Sequence, residues 1–412
     1  MPDHPDAART SWRRLPSHRA WLDAEFHRLL TFSPDPRHPQ GGFAMLDADG
    51  LAQPQAPVHT WITGRITHVH ALGHLRGVPG TGPLVDHGIA ALTGPLHDDE
   101  HGGWYAALSG AGVPEATKDA YQHAFVVLGA SSAAAAGRTG ASALLAEALA
   151  VYERFWDEAA GLFVESYDRT WQAAEPYRGA NSNMHAVEAC LAAGDVTGDA
   201  IWHERALRIA TFLIGEVARA SDWRVVEHFD ADWQPLPEHH RDDPAHPFRP
   251  YGTTVGHWLE WARLLLQLEA SLPAPPSWLL EAATALFAAA TDRGWSADGR
   301  PGFVYTLDWD DRPVVTARMH WVIAEAIGAA AMLHARTGEP SYEGWYRTFW
   351  DHAATAFVDR QRGSWHHELT ADLHPAEGTW SGKPDLYHAV QATLLPQLAT
   401  APSLAAQLAR TT

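Results

Sequence analysis

The sequence predicts an all-α fold: an (α/α)6 barrel of twelve helices, with short β-hairpins gathered at one end. Three observations lead there. A strand–turn–strand pattern recurs six times along the 412 residues. A helical run with charge on one face precedes each occurrence, and a helical run apolar nearly all round follows it.

In chain order the hairpins read GGFAMLDADGLAQP, GGWYAALSGAGVPE, GLFVESYDRTWQAA, WRVVEHFDADWQPL, GFVYTLDWDDRPVV and GSWHHELTADLHPA. Each has an apolar or alternating run, then Asp, Gly, Ser or Thr turn chemistry, then a polar exit. The residues before the turns are Leu46, Leu108, Tyr167, Phe229, Leu307 and Leu369. They recur roughly every 60 residues, with one longer interval before Leu307, and such constancy marks an internal repeat.

Runs such as ALLAEALAVYERFWDEA, IWHERALRIATFLIGEVARA and YEGWYRTFWDHAATAFVD carry a charged stripe and belong outside. HTWITGRITHVHAL, KDAYQHAFVVLGASSAAAA, RGANSNMHAVEACLAA, VGHWLEWARLLLQLEA, ARMHWVIAEAIGAAAML and KPDLYHAVQATLLP lack that stripe and belong inside. Six outer–inner pairs wrapped in sequence share one core. We therefore expect a single domain over residues 1–412, although length alone would suggest two or three. Two loops interrupt the pattern, a Pro/His-rich one over residues 235–250 and a Gly-rich one over residues 76–83. Long loops on repeat proteins tend to lie on the binding face, so the first is expected to act as a partial lid; both also read as plain connectors.

Composition narrows the partners. Thirty basic residues against 49 acidic ones give a net charge of −19, which argues against nucleic acid or an anionic membrane as partner. Twenty-six histidines keep the pI near 5.7. Cys190, the single cysteine, lies in an apolar helical pattern and reads as a small core residue. With no apolar leader and no membrane-length apolar run, the expected location is the cytoplasm. A homo-oligomer is left open.

Residues 250–271 hold the most suggestive polar pair. His257 and Glu260 stand three apart at the start of a buried helix and share a face. They read either as an acid/base pair or as polar residues of a first helical turn. Superposing the inner helices places His123, His185, His257, His320 and His388 at one level, with His68 matching in the first. Arg65, Asn181, Glu188, Glu260, Glu325, Lys383 and Asp385 lie around them.

His-x-x-Glu on a helix could supply two metal ligands, but no His-x-x-x-His or His-Glu-x-x-His pair stands on one helix, so no metal is expected. Glu260 and Glu325 could face each other as a glycosidase pair. The richness in histidine points instead to proton transfer at a carbon next to a carbonyl. No Gly-rich phosphate loop, nucleophile elbow or dinucleotide fingerprint occurs, so no cofactor is expected.

RGANSNMHAVEACLAAGDVTGD, YGTTVGHWLEWARLLLQLE, MHWVIAEAIGAA and WSGKPDLYHAVQATLLP resemble the signature segments of the N-acylglucosamine 2-epimerase superfamily. The resemblance spans essentially the whole chain. The WITGR segment, Trp61 to Arg65, and the segment from Trp380 to His388 are most similar to its aldose–ketose isomerase branch, which includes mannose and sulfoquinovose isomerases.

The resemblance implies an (α/α)6 barrel without a cofactor, acting on a monosaccharide, with His257 and His388 as catalytic histidines. It implies substrate contacts from Arg65, Asn181, His185, Glu260 and Glu325. Trp61, Tyr121, Trp321, Trp380, Lys383 and Asp385 complete the expected sugar-binding set. The expected reaction is D-mannose to D-fructose through a cis-enediol, with D-lyxose to D-xylulose, a 2-epimerase, a sulfoquinovose isomerase and a non-catalytic sugar-binding barrel as alternatives. In it His388 moves the carbon-bound proton, His257 is oriented by Glu260, and Arg65 stabilises developing charge. Arg65 also reads as half of a buried ion pair with Glu325.

Overall fold

The computed structural model describes residues 10–379 and 381–411. Six inner helices, α2 (Thr60–Leu75), α4 (Ala120–Ala135), α6 (Ala180–Thr197), α8 (Val255–Ser271), α10 (His320–Thr337) and α12 (Tyr387–Leu394), pack side by side in sequence order. α12 returns to α2 and closes the ring. Six outer helices, α1 (Pro16–Leu30), α3 (Thr81–Leu92), α5 (Ala141–Tyr152), α7 (Ala200–Ala210), α9 (Trp278–Ala289) and α11 (Pro340–His352), surround them. The apolar pattern explains the two layers. Every residue of α12 is buried and all of α2 except His74, whereas α7 buries only one face, through Trp202, Ala206, Ile209 and Ala210 with Arg205. One contiguous apolar cluster runs from Leu22 on α1 to Leu408 near the C-terminus.

The six hairpins form a second ring at the N-terminal ends of the inner helices. Five of them contribute the residue before the turn to an antiparallel pair with the strand that leads into the preceding inner helix. The pairs are Val58 with Leu108, Lys118 with Tyr167, Arg178 with Phe229, Thr253 with Leu307 and Arg318 with Leu369. Leu46 completes the circle, its carbonyl accepting the Lys383 amide at 3.0 Å. Glycine is required beside two of these joints. Gly252 (φ +87°) and Gly382 (φ +68°) are left-handed, and a Cβ on either would run into the carbonyl of Leu307 or Leu46.

Three details differ from the sequence expectation. A short helix, α13 (Leu404–Ala409), follows the twelve and packs its buried Leu404, Ala405 and Leu408 toward α2, α4 and α6. α7, α9 and α11 each continue into a stretch of π-helix. The loop at residues 76–83 is no part of the binding face. It follows the C-terminal end of α2, turns at Gly77 and Gly80, and enters α3 at Thr81. No helix among the described residues is long and apolar enough to cross a membrane.

Candidate active site

The strand pairing fixes how the inner helices align. Counting seven residues on from Val58, Lys118, Arg178, Thr253 and Arg318 gives Arg65, Phe125, His185, Glu260 and Glu325; counting three gives Trp61, Tyr121, Asn181, Gly256 and Trp321. These two levels surround the cavity at the hairpin end. The ring of equivalent histidines expected from sequence is therefore wrong in register. His320, His257, His123 and His185 stand two, four, five and seven residues after their strand residues.

His123 serves the frame. Its Nδ1 faces the Asp119 carbonyl at 2.7 Å, and its Nε2 accepts the Trp104 amide at 3.1 Å. His68, deeper in α2, sits 2.6 Å from the Ser132 hydroxyl and away from the cavity.

Trp61, Arg65, Tyr121, Asn181, His185, His257, Glu260, Trp321, Asp385 and His388 all line this one cavity. Glu325 lies just beneath, against His388. Lys383 does not reach it. Its ammonium is held by Asp359 at 2.6 Å and the Gly363 carbonyl at 2.9 Å, so its work is to join two hairpins at the ring closure. Trp380 lies outside the described residues. From the 235–250 loop, Pro247, Phe248 and Pro250 also line the cavity, and Phe248 packs edge-on against Trp61 and Tyr121.

Both candidate catalytic histidines are backed by a carboxylate. His388 Nδ1 lies 2.8 Å from Glu325 Oε1. His257 Nδ1 lies 2.9 and 3.0 Å from the two oxygens of Glu227, so Glu260 is not its orienting partner. Glu260 is one helical turn further in, 3.3 Å from Arg263 Nη2 and 3.7 Å from His185 Nδ1. An acceptor-only carboxylate at Nδ1 puts the imidazole proton there and leaves Nε2 as the basic atom. The Trp321 ring packs against both imidazoles, at centroid distances of 5.3 and 5.8 Å.

Glu227 was missed because it sits in a hairpin, but the repeat carries a signal for it. The residue two before each hairpin reference position is Ala44, Ala106, Glu165, Glu227, Tyr305 or His367, and all six are buried. From Ala106 onward each of these carbonyls accepts the first amide of an inner helix. Their side chains thereby reach the barrel mouth.

Arg65 pairs with Asp385 rather than Glu325, donates to the Tyr121 hydroxyl at 3.1 Å, and lies over the rings of Phe125, Tyr387 and Trp61. Burial opposes the charge on Asp385, but Arg65 outweighs it and holds that carboxyl below its usual range. Burial, with Arg65 close by, drives the His185 imidazole well below 6.5, so it is neutral. Burial likewise takes His320 to about 4, and His367, stacked on it at 4.0 Å, well below its ordinary value.

Glu260 and Glu325 diverge. Burial and the neighbouring Glu325 and Glu188 raise Glu260 well above the carboxylate range, despite Arg263. Burial also works against Glu325, but Arg263 and His388 bring it down to about 2. Among the described residues, two groups have donor atoms close enough for a metal, His185 with Glu188 and Glu260, and Glu260 with Glu325 and His388. The Arg263 guanidinium already lies against the carboxylates of both.

The chain matches the N-acylglucosamine 2-epimerase (GlcNAc 2-epimerase) family over residues 41–392. A D-mannose isomerase from Thermobifida fusca is 62% identical over 403 residues, 97% of this chain and 99% of that protein. One from Pseudomonas cannabina pv. alisalensis is 52% identical over 97% of each. A crystal structure of a D-mannose isomerase superposes with a TM-score of 0.86 at 29% identity, covering 92% of this chain and 97% of that one. The fold is shared with a cellobiose 2-epimerase from Spirochaeta thermophila, at a TM-score of 0.81 and 23% identity over 92% and 96% of the two chains. The chain belongs to the N-acylglucosamine 2-epimerase family.

Proposed function

We propose that the protein is an aldose–ketose isomerase that interconverts D-mannose and D-fructose, and by the same chemistry D-lyxose and D-xylulose, without a cofactor. The observation that carries this reading is the pair of imidazoles on one cavity, each with Nδ1 on its own carboxylate and Nε2 free for proton transfer. The relatives named D-mannose isomerase support the choice of sugar.

His257 assists opening of the sugar ring. His388 Nε2 takes the proton from C2, the C1–C2 bond becomes double, and O1 gains a proton to give a cis-enediol. His388 then returns its proton to C1 while O2 loses one, and C2 becomes the ketone carbon. Arg65, neutralised at rest by Asp385, donates to the oxygen on which charge develops. Trp61 and Trp321 offer flat apolar faces to the sugar. The 235–250 loop roofs the cavity through Phe248.

A sulfonated sugar is less well served. Both arginines of that loop are already paired, Arg249 with Glu175 and Arg241 with Glu238. We place the reaction in the cytoplasm, which suits the one buried, free cysteine.

The test is incubation with mannose, lyxose, glucose, sulfoquinovose, N-acetylglucosamine and cellobiose, before and after chelation, with products identified by NMR. Fructose from mannose, undiminished by chelation, is the expected result. Glucose from mannose as the primary product would make the protein a 2-epimerase. Binding without turnover would make it a sugar-binding barrel.

A further inference from the structure

Beneath the cavity three carboxyl groups converge on one cation. Glu188 on α6, Glu260 on α8 and Glu325 on α10 are all buried around a single guanidinium, that of Arg263, which has no exposed surface. Its Nε donates to Glu325 Oε2 at 2.6 Å. Nη1 donates to Gln267 at 2.9 Å and Glu188 at 3.3 Å, and Nη2 to Glu260 at 3.3 Å. Glu188 in turn accepts from the Tyr387 hydroxyl and from Gln391 Nε2 on α12. Three of the six inner helices thus meet on one side chain that does not line the cavity, and α12 joins them through Glu188.

We infer that Arg263 is a positioning residue for His388: by engaging one oxygen of Glu325 it fixes that carboxylate as the acceptor of the His388 Nδ1 proton, and so keeps Nε2 bare toward the substrate. The inference rests on the isomerase reading given above. With Arg263 on Oε2 and His388 on Oε1, both oxygens of Glu325 accept N–H groups, an arrangement that requires the ionised carboxylate. Without the guanidinium, Glu325 would face Glu260 and Glu188 with no fixed cation, and its own carboxylate would take up a proton more readily. A protonated Glu325 donates to Nδ1, moves the imidazole proton to Nε2, and leaves His388 unable to accept a proton from C2. The low proton affinity of Glu325 beside the high one of Glu260 agrees with this division of charge.

Other titratable and charged groups face the pair from every neighbouring element. They are Arg65 and His68 on α2, Tyr121 on α4, His185 on α6, His257 on α8, His320 on α10, and Asp385 and Tyr387 at α12. None of them reaches Glu325 Oε2, so none can replace the Arg263 contact.

The experiment compares the unmodified protein with Arg263→Met/Glu188→Gln, which removes one buried negative charge along with the positive one, and with Arg263→Lys. Folding is checked by circular dichroism. The ¹⁵N shifts of the His388 ring in the ligand-free protein report which nitrogen carries the proton. Steady-state kinetics with mannose report kcat, KM and the pH profile.

We expect an Nδ1–H ring in the unmodified protein and an Nε2–H ring in the double variant. kcat should fall about 10-fold or more with KM little changed, and the acidic limb of kcat should move up by about half a pH unit or more. The lysine should recover part of both. If the double variant does not fold, Arg263→Lys decides by the same readouts, since one ammonium cannot hold three carboxylates in a fork geometry. An Nδ1–H ring with kcat and limb unmoved in a folded variant overturns the inference. If the unmodified protein turns over no sugar, the isomerase reading has failed and the ring shifts alone decide the role of Arg263.

Discussion

Replacing Glu227 by Gln separates the structure's account of His257 from the one read off the helix, where Glu260 orients it. Glu227 is 4% exposed and accepts both the His257 Nδ1 proton, at 2.9 and 3.0 Å, and the Thr254 amide at 3.2 Å. A glutamine keeps the shape and an acceptor for one donor but loses the charge that stabilises an imidazolium. Hydrogen bonds to charged groups are worth about 1.5–3 kcal/mol, so kcat should fall about 10- to 150-fold at 1.4 kcal/mol per decade. KM should change far less, because Glu227 is not among the cavity-lining residues. The assay is ketose formation from mannose at saturating substrate, normalised to folded protein. A Glu227→Gln enzyme within twofold of the unmodified rate would refute the reasoning. So would a larger loss in Glu260→Gln, which would return the orienting role to Glu260.

His388→Ala should lose about 10²–10⁴-fold or more in turnover, the usual range for a general base, while circular dichroism is unchanged; near-normal turnover would pass the role to His257. In D2O, fructose formed from unlabelled mannose should carry deuterium at C1 in only part of the molecules, because a shielded single base returns some of the original proton; complete labelling would contradict that shielding. Gly382→Ala should lower both the urea midpoint and kcat, since a Cβ there meets the Leu46 carbonyl where the hairpin ring closes, just ahead of Asp385 and His388; an unchanged midpoint would refute the closure argument. Stability should fall as pH drops from 6.5 toward 4. Burial takes His68 and His123 to about 3 and His70 and His320 to about 4, so the unfolded chain binds protons in that window that the native one refuses. Asp119, raised to about 7 by burial and the nearby Glu165, binds a proton early and opposes them, as do Glu165 and Glu260, but the buried histidines outnumber these carboxyls. A urea midpoint equal at pH 7 and pH 5 would show the balance to be wrong.

The barrel was legible because its cause is periodic. Hairpin residues such as Leu108 and Phe229 recur at a spacing that the strand pairing requires, and inner helices must be apolar on every side to stand inside a ring. The cavity-lining residues on the first turns of those helices, from Trp61 to His388, were named mainly through the family resemblance. What misled was treating histidine identity as the alignment mark. Register is fixed by the hydrogen bonds of Val58, Lys118, Arg178, Thr253 and Arg318, and the histidines fall at different heights from those anchors. Contacts across the ring were invisible from one helix at a time. Arg65 with Asp385, Glu227 with His257 and Lys383 with Asp359 join distant elements and follow no local spacing.

The electrostatic layout explains how so many titratable groups can share one cavity and still hold separate roles. Arg65 and Asp385 cancel each other at one wall. His185, His320 and His367 are neutral because burial gives their charge no compensation. Among the described histidines of the cavity, His257 and His388 alone have a carboxylate within hydrogen-bond distance of Nδ1, and those carboxylates come from different elements, a hairpin for Glu227 and an inner helix for Glu325. Each imidazole can therefore take a proton without its partner carboxylate being drawn away by the other. On the proposed mechanism this independence lets one histidine carry the carbon-bound proton while the other manages the oxygens of the opening ring.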